Sequence, residues 1–153
     1  MSERIPLGLL LPLRFLVAAM LLLEGYQKFM AGWLHGDALS KTTQTWLDAS
    51  RAYHFFLPVL HSAHAHPKIF SSLITIGELV VGLCLLIGLA TRLASFLGVL
   101  LLGSIAAASG QGLAPPGNAV LMMAILFTFV LAPPGRALGI DQGLRARLPR
   151  WMV

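Results

Sequence analysis

The sequence IFSSLITIGELVVGLCLLIGLATRLASFLGVLLLGSIAAAS, residues 69–109, contains two apolar runs separated by one short link. The first run extends over residues 69–90 and the second over residues 93–109. Each is close to the length of about 20 residues that an α-helix needs to cross the hydrocarbon of a bilayer. Because the link around Thr91 and Arg92 is so short, the two runs are predicted to form a helical hairpin.

Two further apolar runs lie outside this hairpin, at about residues 6–29 and about residues 118–132. The last run is short for a membrane span, but a locally thinner bilayer can accommodate it. An open sheet cannot satisfy its backbone in lipid, and the period-two pattern of a barrel is absent. The predicted fold class is therefore all-α: one integral membrane domain over residues 1–153, folded as a transmembrane four-helix bundle.

The composition also indicates a membrane protein. Hydrophobic residues make up 57% of the 153 residues and charged residues 11%, whereas soluble domains carry about 25% charged residues. The net charge of +5 raises the question of nucleic acid, but four arginines lie in the last eighteen residues, beside the final apolar run. Basic residues in that position indicate membrane topology and contact with anionic headgroups, so no nucleic-acid partner is expected.

A long polar connector, residues 30–68, joins the first two runs. Trp46, Tyr53, Leu57 and Leu60 recur near helical spacing in it, which predicts an amphipathic helix lying on the outer membrane surface. The distribution of lysine and arginine favours both termini in the cytoplasm and this connector outside. The residues on the inner side are then Arg4, Arg92, Arg136, Arg145, Arg147 and Arg150, and those on the outer side are Lys41, Arg51 and Lys68.

Four ionisable residues interrupt the apolar runs: Arg14, Glu24, Lys28 and Glu78. Charges in hydrocarbon are costly and often functional. Glu24 and Lys28 are spaced i,i+4, which suits an ion pair on one helix face. At about 1.5 Å per residue, Arg14 lies roughly 12 Å and Glu78 roughly 18 Å from the cytoplasmic ends of their helices. A salt bridge between Arg14 and Glu78 is therefore predicted.

These charged residues have two interpretations. They are either ion pairs that only fix the register of the helices, or the lining of a polar cavity that binds a headgroup, moves protons or holds a quinone. In the second interpretation, Arg14 and Glu78 polarise a carbonyl group or relay a proton, between apolar walls. The predicted binding residues are Glu24, Lys28, Arg92 and Asn118, and the predicted wall residues are Phe15, Phe29, Leu79 and Leu83. Asn118 has a second interpretation, as the N-cap of the fourth helix.

His61, His64 and His66 form the sequence HSAHAH in the connector. This spacing suits a metal ion in a loop, but short histidine tracts are weak signals and no carboxylate or thiolate lies nearby. We expect histidines that face solvent or headgroups and predict no metal site, and whether the three bind a metal stays open. The single cysteine, Cys84, gives no disulfide or dithiol pair and is predicted to be a buried small residue.

Three segments resemble the DoxX/DoxD family of small four-helix membrane proteins: LRFLVAAMLLLEGYQKF (13–29), HPKIFSSLITIGELVVGLCLLIGLATRLAS (66–95) and PPGRALGID (133–141). The residues that match the family pattern are Arg14, Gly25, Lys28, Glu78, Gly82, Thr91 and Arg92. Glu24 and the histidines are not part of that pattern.

The resemblance implies a multi-pass protein of a bacterial or archaeal plasma membrane. It also implies a subunit of a quinone-linked oxidoreductase, such as a thiosulfate:quinone oxidoreductase or another membrane redox complex. Bound quinone is then the expected cofactor, with none attached covalently, and the expected partners are the lipid bilayer and a membrane or soluble redox protein. The alternatives are a non-catalytic scaffold that recruits a partner protein and a protein that handles lipids or small solutes. The electron donor, catalysis itself and a homo-oligomeric state stay open.

Overall fold

The computed structural model describes residues 7–49, 52–110, 118–136 and 139–144. These residues form helices and, within these ranges, no strand, so the predicted all-α class is confirmed. The α-helices are α1 (Leu11–Met30), α2 (Asp37–Asp48), α3 (Leu57–Ala65), α4 (Pro67–Ile87), α5 (Thr91–Ser109), α6 (Asn118–Leu131) and α7 (Ile140–Leu144). Short 3₁₀ turns cover Leu7–Leu10, Trp33–His35, His54–Phe56 and Pro134–Arg136.

Each of the four apolar runs forms one helix: α1, α4, α5 and α6. Two of them, α4 and α5, are both long and apolar enough to cross a membrane. The helix α1 has 20 residues but carries three charged side chains, and α6 has 14 residues. The exterior of all four helices is rich in exposed large apolar side chains, among them Leu23, Leu73, Phe96 and Phe127. Helices that are apolar on every side are typical of a bilayer environment.

The helices α4 and α5 are adjacent in the chain and pack against each other. Pro67 occupies the first position of α4, where its missing N–H and fixed φ do no harm. Gly88 ends the helix at a φ of 69°, a conformation that glycine adopts without a steric penalty. Local sequence therefore defines both ends of α4.

Two glycines allow α1 and α4 to approach closely. A Cβ added to Gly25 would lie 2.9 Å from Leu79 Cγ. A Cβ added to Gly82 would lie 2.9 Å from Leu22 Cγ and 3.2 Å from the carbonyl oxygen of Ala18. Small residues at such contacts let two helix backbones come together, and these contacts also determine how far α1 is shifted along α4.

The connector differs from its prediction. The sequence predicted one amphipathic helix through Trp46 to Leu60, whereas α2 ends at Asp48 and α3 begins at Leu57. Pro58 lies in the first turn of α3, where proline is tolerated, but inside a continuous helix it would remove a hydrogen bond and clash with the preceding turn. The buried side of α2 packs against α3 and α4. Residues 50 and 51, including Arg51, lie outside the described part of the chain.

Candidate functional site

An ion pair connects the last turn of α1 to the middle of α4. Lys28 Nζ donates a hydrogen bond to Glu78 Oε1. The side chain of Glu78 is 0% exposed and that of Lys28 is 19% exposed. The close contact of Gly25 with Leu79 brings this part of α1 beside Glu78. The pair therefore follows from the register that the glycines set.

The predicted salt bridge between Arg14 and Glu78 is wrong, because Lys28 is the cation that meets Glu78. Arg14 precedes Lys28 by 14 residues on the same helix, a separation of about 21 Å along the axis. Arg14 is buried, and its charge interacts with Asp141 instead. Depth counted from the ends of two helices ignores their relative shift, which is why the prediction chose the wrong partner.

A polar cleft lies on the outer side of Lys28. Its volume is about 300 Å³, and it is lined by Glu24, Gln27, Lys28, Ala31 and Trp33. Lys28 Nζ lies 5.7 Å from the centroid of the Trp33 ring, a distance at which a cation and an aromatic face attract. The salt bridge of Lys28 is with Glu78 and not with Glu24 as its i,i+4 spacing suggested.

A larger, apolar cavity lies on the other side of Lys28, among α2, α3, α4 and α5. Its volume is about 630 Å³, within the range of about 300–1,000 Å³ that is usual for small-molecule sites. Lys28 is the one charged side chain among the described residues that line it. The other polar side chains in its lining are those of Thr42, Thr43 and Ser104, with the indoles of Trp33 and Trp46.

The walls of this cavity are not the predicted ones. Phe15, Phe29, Leu79 and Leu83 are absent from its lining, which comes instead from residues such as Leu60 of α3 and Leu97 of α5. The helices α1 and α4 touch at their glycines, and Lys28 is the only described residue of α1 in the cavity lining. Space opens instead where α2 and α3 cover the contact of α4 with α5, an arrangement that no local pattern indicates.

A second polar cluster lies around Asp141, a fully buried residue at the start of α7. Its Oδ1 accepts a hydrogen bond from the Ala90 amide at 2.6 Å. Its Oδ2 accepts one from the Thr91 amide at 2.9 Å and one from Thr91 Oγ1 at 2.6 Å. The Asp141 amide donates in turn to the carbonyl oxygen of Gly88 at 2.9 Å. The carboxylate thus caps the N-terminus of α5, where a negative charge is favoured.

Asp141 was not among the predicted site residues. Its signal in the sequence was an acidic residue in an otherwise basic C-terminal segment, within PPGRALGID. Arg92, predicted to bind the ligand, lies next to this cluster and donates from Nε to the carbonyl oxygen of Val130 at 2.8 Å. It therefore connects α5 to the end of α6 and is not part of the cavity lining. Asn118 begins α6, but its predicted side-chain role falls outside what the structure describes.

His61 and His64 lie on α3, and His66 directly follows its last residue. His64 Nδ1 lies 3.2 Å from Thr43 Oγ1, and His61 and His66 are exposed. Within the described ranges, no three histidine, cysteine, aspartate or glutamate side chains are close enough to share a metal ion. Cys84 is only partly buried on α4.

A comparison with protein families identifies the family of this chain. The family model DoxX matches residues 9–111, a range that contains α1 to α5, the Lys28–Glu78 pair and the lining of the large cavity. No curated protein and no solved structure matches the chain. The apolar helices agree with a membrane protein. Because the matched range covers well over half of the sequence, the chain belongs to the DoxX family.

Proposed function

We propose that this protein is a membrane subunit of a quinone-linked redox complex and binds quinone in the large apolar cavity. The observation that carries the proposal is a cavity of about 630 Å³ with apolar walls and, among the described residues of its lining, one charged side chain, Lys28. A quinone has an apolar ring with two carbonyl groups, and such ligands need apolar walls with few polar groups that fix their orientation.

The residues around Lys28 fit such a ligand. An ammonium group has three donors, of which Lys28 uses one for Glu78, so the others are available to a carbonyl oxygen in the cavity. Glu78 Oε2 is buried and has no hydrogen-bond partner among the described residues, so it can hold a proton next to Lys28. A bound quinone would supply two-electron chemistry coupled to proton uptake. Lys28 would orient the carbonyl, and the Lys28–Glu78 pair would hold the proton.

This assignment moves the role predicted for Arg14 to Lys28. The axial separation of the two residues, about 21 Å at 1.5 Å per residue, puts Arg14 near the opposite end of α1. Glu78 keeps the role that the sequence suggested, as the acceptor or source of a proton. Glu24, in the polar cleft beside the pair, stays a candidate binding residue.

The proposed arrangement in the membrane is a four-helix bundle of α1, α4, α5 and α6 in a bacterial or archaeal plasma membrane. Arginines are concentrated near the two termini and in the link between α4 and α5, so this side of the bundle is placed in the cytoplasm together with both termini. The α2–α3 connector then lies at the outer surface, above the cavity. The exposed apolar side chains on all four helices support this placement.

The proposal includes a redox partner protein. With one cysteine in 153 residues, the chain cannot form an internal dithiol pair, and the proposal assigns the supply of electrons to a partner protein. Affinity purification in mild detergent, followed by identification of the bound proteins and quinones, tests this part. A complex that contains a partner protein but no quinone would favour the alternative function, a scaffold.

Quinone titration into the purified protein in lipid nanodiscs tests the binding site directly. We expect saturable binding to the wild type and, for Lys28→Met, binding weaker by about tenfold or more, since a hydrogen bond from a charged group contributes about 1.5–3 kcal/mol. Lys41→Met is the matched control, because Lys41 is exposed on α2 and does not line the cavity. If the wild type shows no saturable binding even with its native partners present, the quinone proposal is wrong.

A further inference from the structure

The large cavity opens to the exterior of the protein at the side, between α4 and α5. Five of the described residues that line it are also exposed, and four of them lie on two helices: Leu73 and Val80 of α4, and Leu97 and Leu100 of α5. The fifth is Val59 of α3. The helices α4 and α5 are the two that are both long and apolar enough to cross a bilayer. In the proposed arrangement, the opening between them therefore faces lipid hydrocarbon.

Buried residues line other parts of the cavity. In the connector, Leu39 of α2 and Leu60 and Ala63 of α3 are buried and line the cavity. Val81 of α4 and Ala108 of α5 also line the cavity and are buried. Lys28 lies at one end, with the polar cleft on its far side. The cavity thus has one polar end and a side opening with apolar edges, most of whose exposed residues lie on α4 and α5.

We propose that the ligand of this cavity is an amphiphile with a long apolar tail, which enters sideways from the bilayer between α4 and α5. Its polar head lies at Lys28, and its tail crosses the opening and continues into the lipid. This inference rests on the proposed function and adds the class of quinone, a tailed one, and its route of entry.

The free energy of binding then comes mainly from the contacts that the protein makes with the polar head of the ligand. A tail that moves from lipid hydrocarbon into an apolar cavity exchanges one apolar environment for another, so the hydrophobic effect contributes little. The hydrogen bond and the charge of Lys28, and the adjacent Trp33 ring, act on the head alone. The site should therefore distinguish ligands by their head and accept tails of different lengths.

Two residues of α4 provide a matched test of the opening. Val80 and Leu83 are each 52% exposed, but Val80 lines the cavity and Leu83 does not. We compare Val80→Trp with Leu83→Trp in the full chain in lipid nanodiscs. Leu97→Trp, at the other edge of the opening, is the second variant and replaces Val80→Trp if that protein does not fold. The probes are a quinone with a long isoprenoid tail and a quinone with the same ring and no tail.

We expect a tryptophan at position 80 or 97 to weaken binding of the tailed quinone by about tenfold or more, because it fills the space that the tail crosses. Binding of the tail-free quinone should change by less than about threefold, since a ring alone does not cross the opening. Leu83→Trp should leave the binding of both compounds unchanged.

The outcomes separate this inference from the proposed function. If the wild type binds the tailed quinone and both opening variants bind it as tightly as Leu83→Trp does, the lateral route is wrong and the quinone site stands. If the opening variants lose both quinones equally, the tail does not cross the opening and the inference is wrong. If the wild type binds neither quinone, the proposed function fails and this inference fails with it.

Discussion

Removal of either partner of the Lys28–Glu78 ion pair should destabilise the fold, and the two losses should differ. The reason is that Glu78 is 0% exposed, whereas Lys28 is 19% exposed and borders the polar cleft. In Lys28→Met, the carboxylate stays buried without its cation. In Glu78→Gln, the ammonium group can turn toward the cleft and its water.

The structure sets the expected sizes of the two losses. For Lys28→Met we expect the free energy of unfolding to fall by about 3–5 kcal/mol, the range for stranding one member of a buried ion pair. For Glu78→Gln we expect a fall of about 1–3 kcal/mol, because glutamine keeps the size of the side chain and one acceptor oxygen for Lys28. In the double variant the two losses should not add, since no charge is left without its partner.

Equilibrium unfolding in mixed micelles, followed by circular dichroism, measures all three variants. Lys41→Met serves as the control because Lys41 is exposed on α2, and a surface change of this kind should stay within about 0.5 kcal/mol. Losses for Lys28→Met and Glu78→Gln that agree within about 0.5 kcal/mol would refute the argument from unequal burial. Losses no larger than that of the control would show that the pair does not stabilise the fold.

Asp141→Ala should lower the free energy of unfolding by about 2–4 kcal/mol, since it leaves the buried amide and hydroxyl of Thr91 and the partly buried amide of Ala90 without their acceptor. Hydrogen exchange at the Thr91 amide should become faster in this variant. Gly82→Ala should lower the free energy of unfolding by about 1–3 kcal/mol, because the new methyl group would press against Leu22 and the backbone of α1; thermal unfolding measures this. Reporter fusions after Ser109 and at the C-terminus should give an extracytoplasmic and a cytoplasmic signal, respectively.

Each of these predictions has a control or a contrary result. Asp48→Ala removes an exposed carboxylate from α2, and a loss as large as that of Asp141→Ala would argue against the cap. A Cβ at Gly77 would meet only side-chain atoms of Leu101, at 3.1 Å and beyond. Gly77→Ala should therefore be nearly neutral or stabilising, since alanine favours a helix, and an effect equal to that of Gly82→Ala would reject close helix approach as the cause. An extracytoplasmic signal from the C-terminal fusion would reject the topology.

The sequence by itself determined the class of the fold and the ends of its longest helices. Apolar runs, the proline at position 67 and the glycine at position 88 act through local chemistry, so α4 begins and ends near the predicted limits. The sequence also singled out Lys28 and Glu78, because an ionisable residue in an apolar run is conspicuous without knowledge of its neighbours. It did not predict the break between α2 and α3, although Pro58 lies in the first turn of α3, at the end of that break.

Only the tertiary structure decided which charges meet and where a ligand fits. Depth counted from the helix ends favours Arg14 as the partner of Glu78, but the contacts of Gly25 and Gly82 determine the shift of α1 along α4 and bring Lys28 to Glu78. The cavity lies among α2 to α5, and Lys28 is the only described residue of α1 in its lining. A helix pattern shows which face is apolar, but the shift between two helices depends on how their side chains interlock, and that is a property of both helices together.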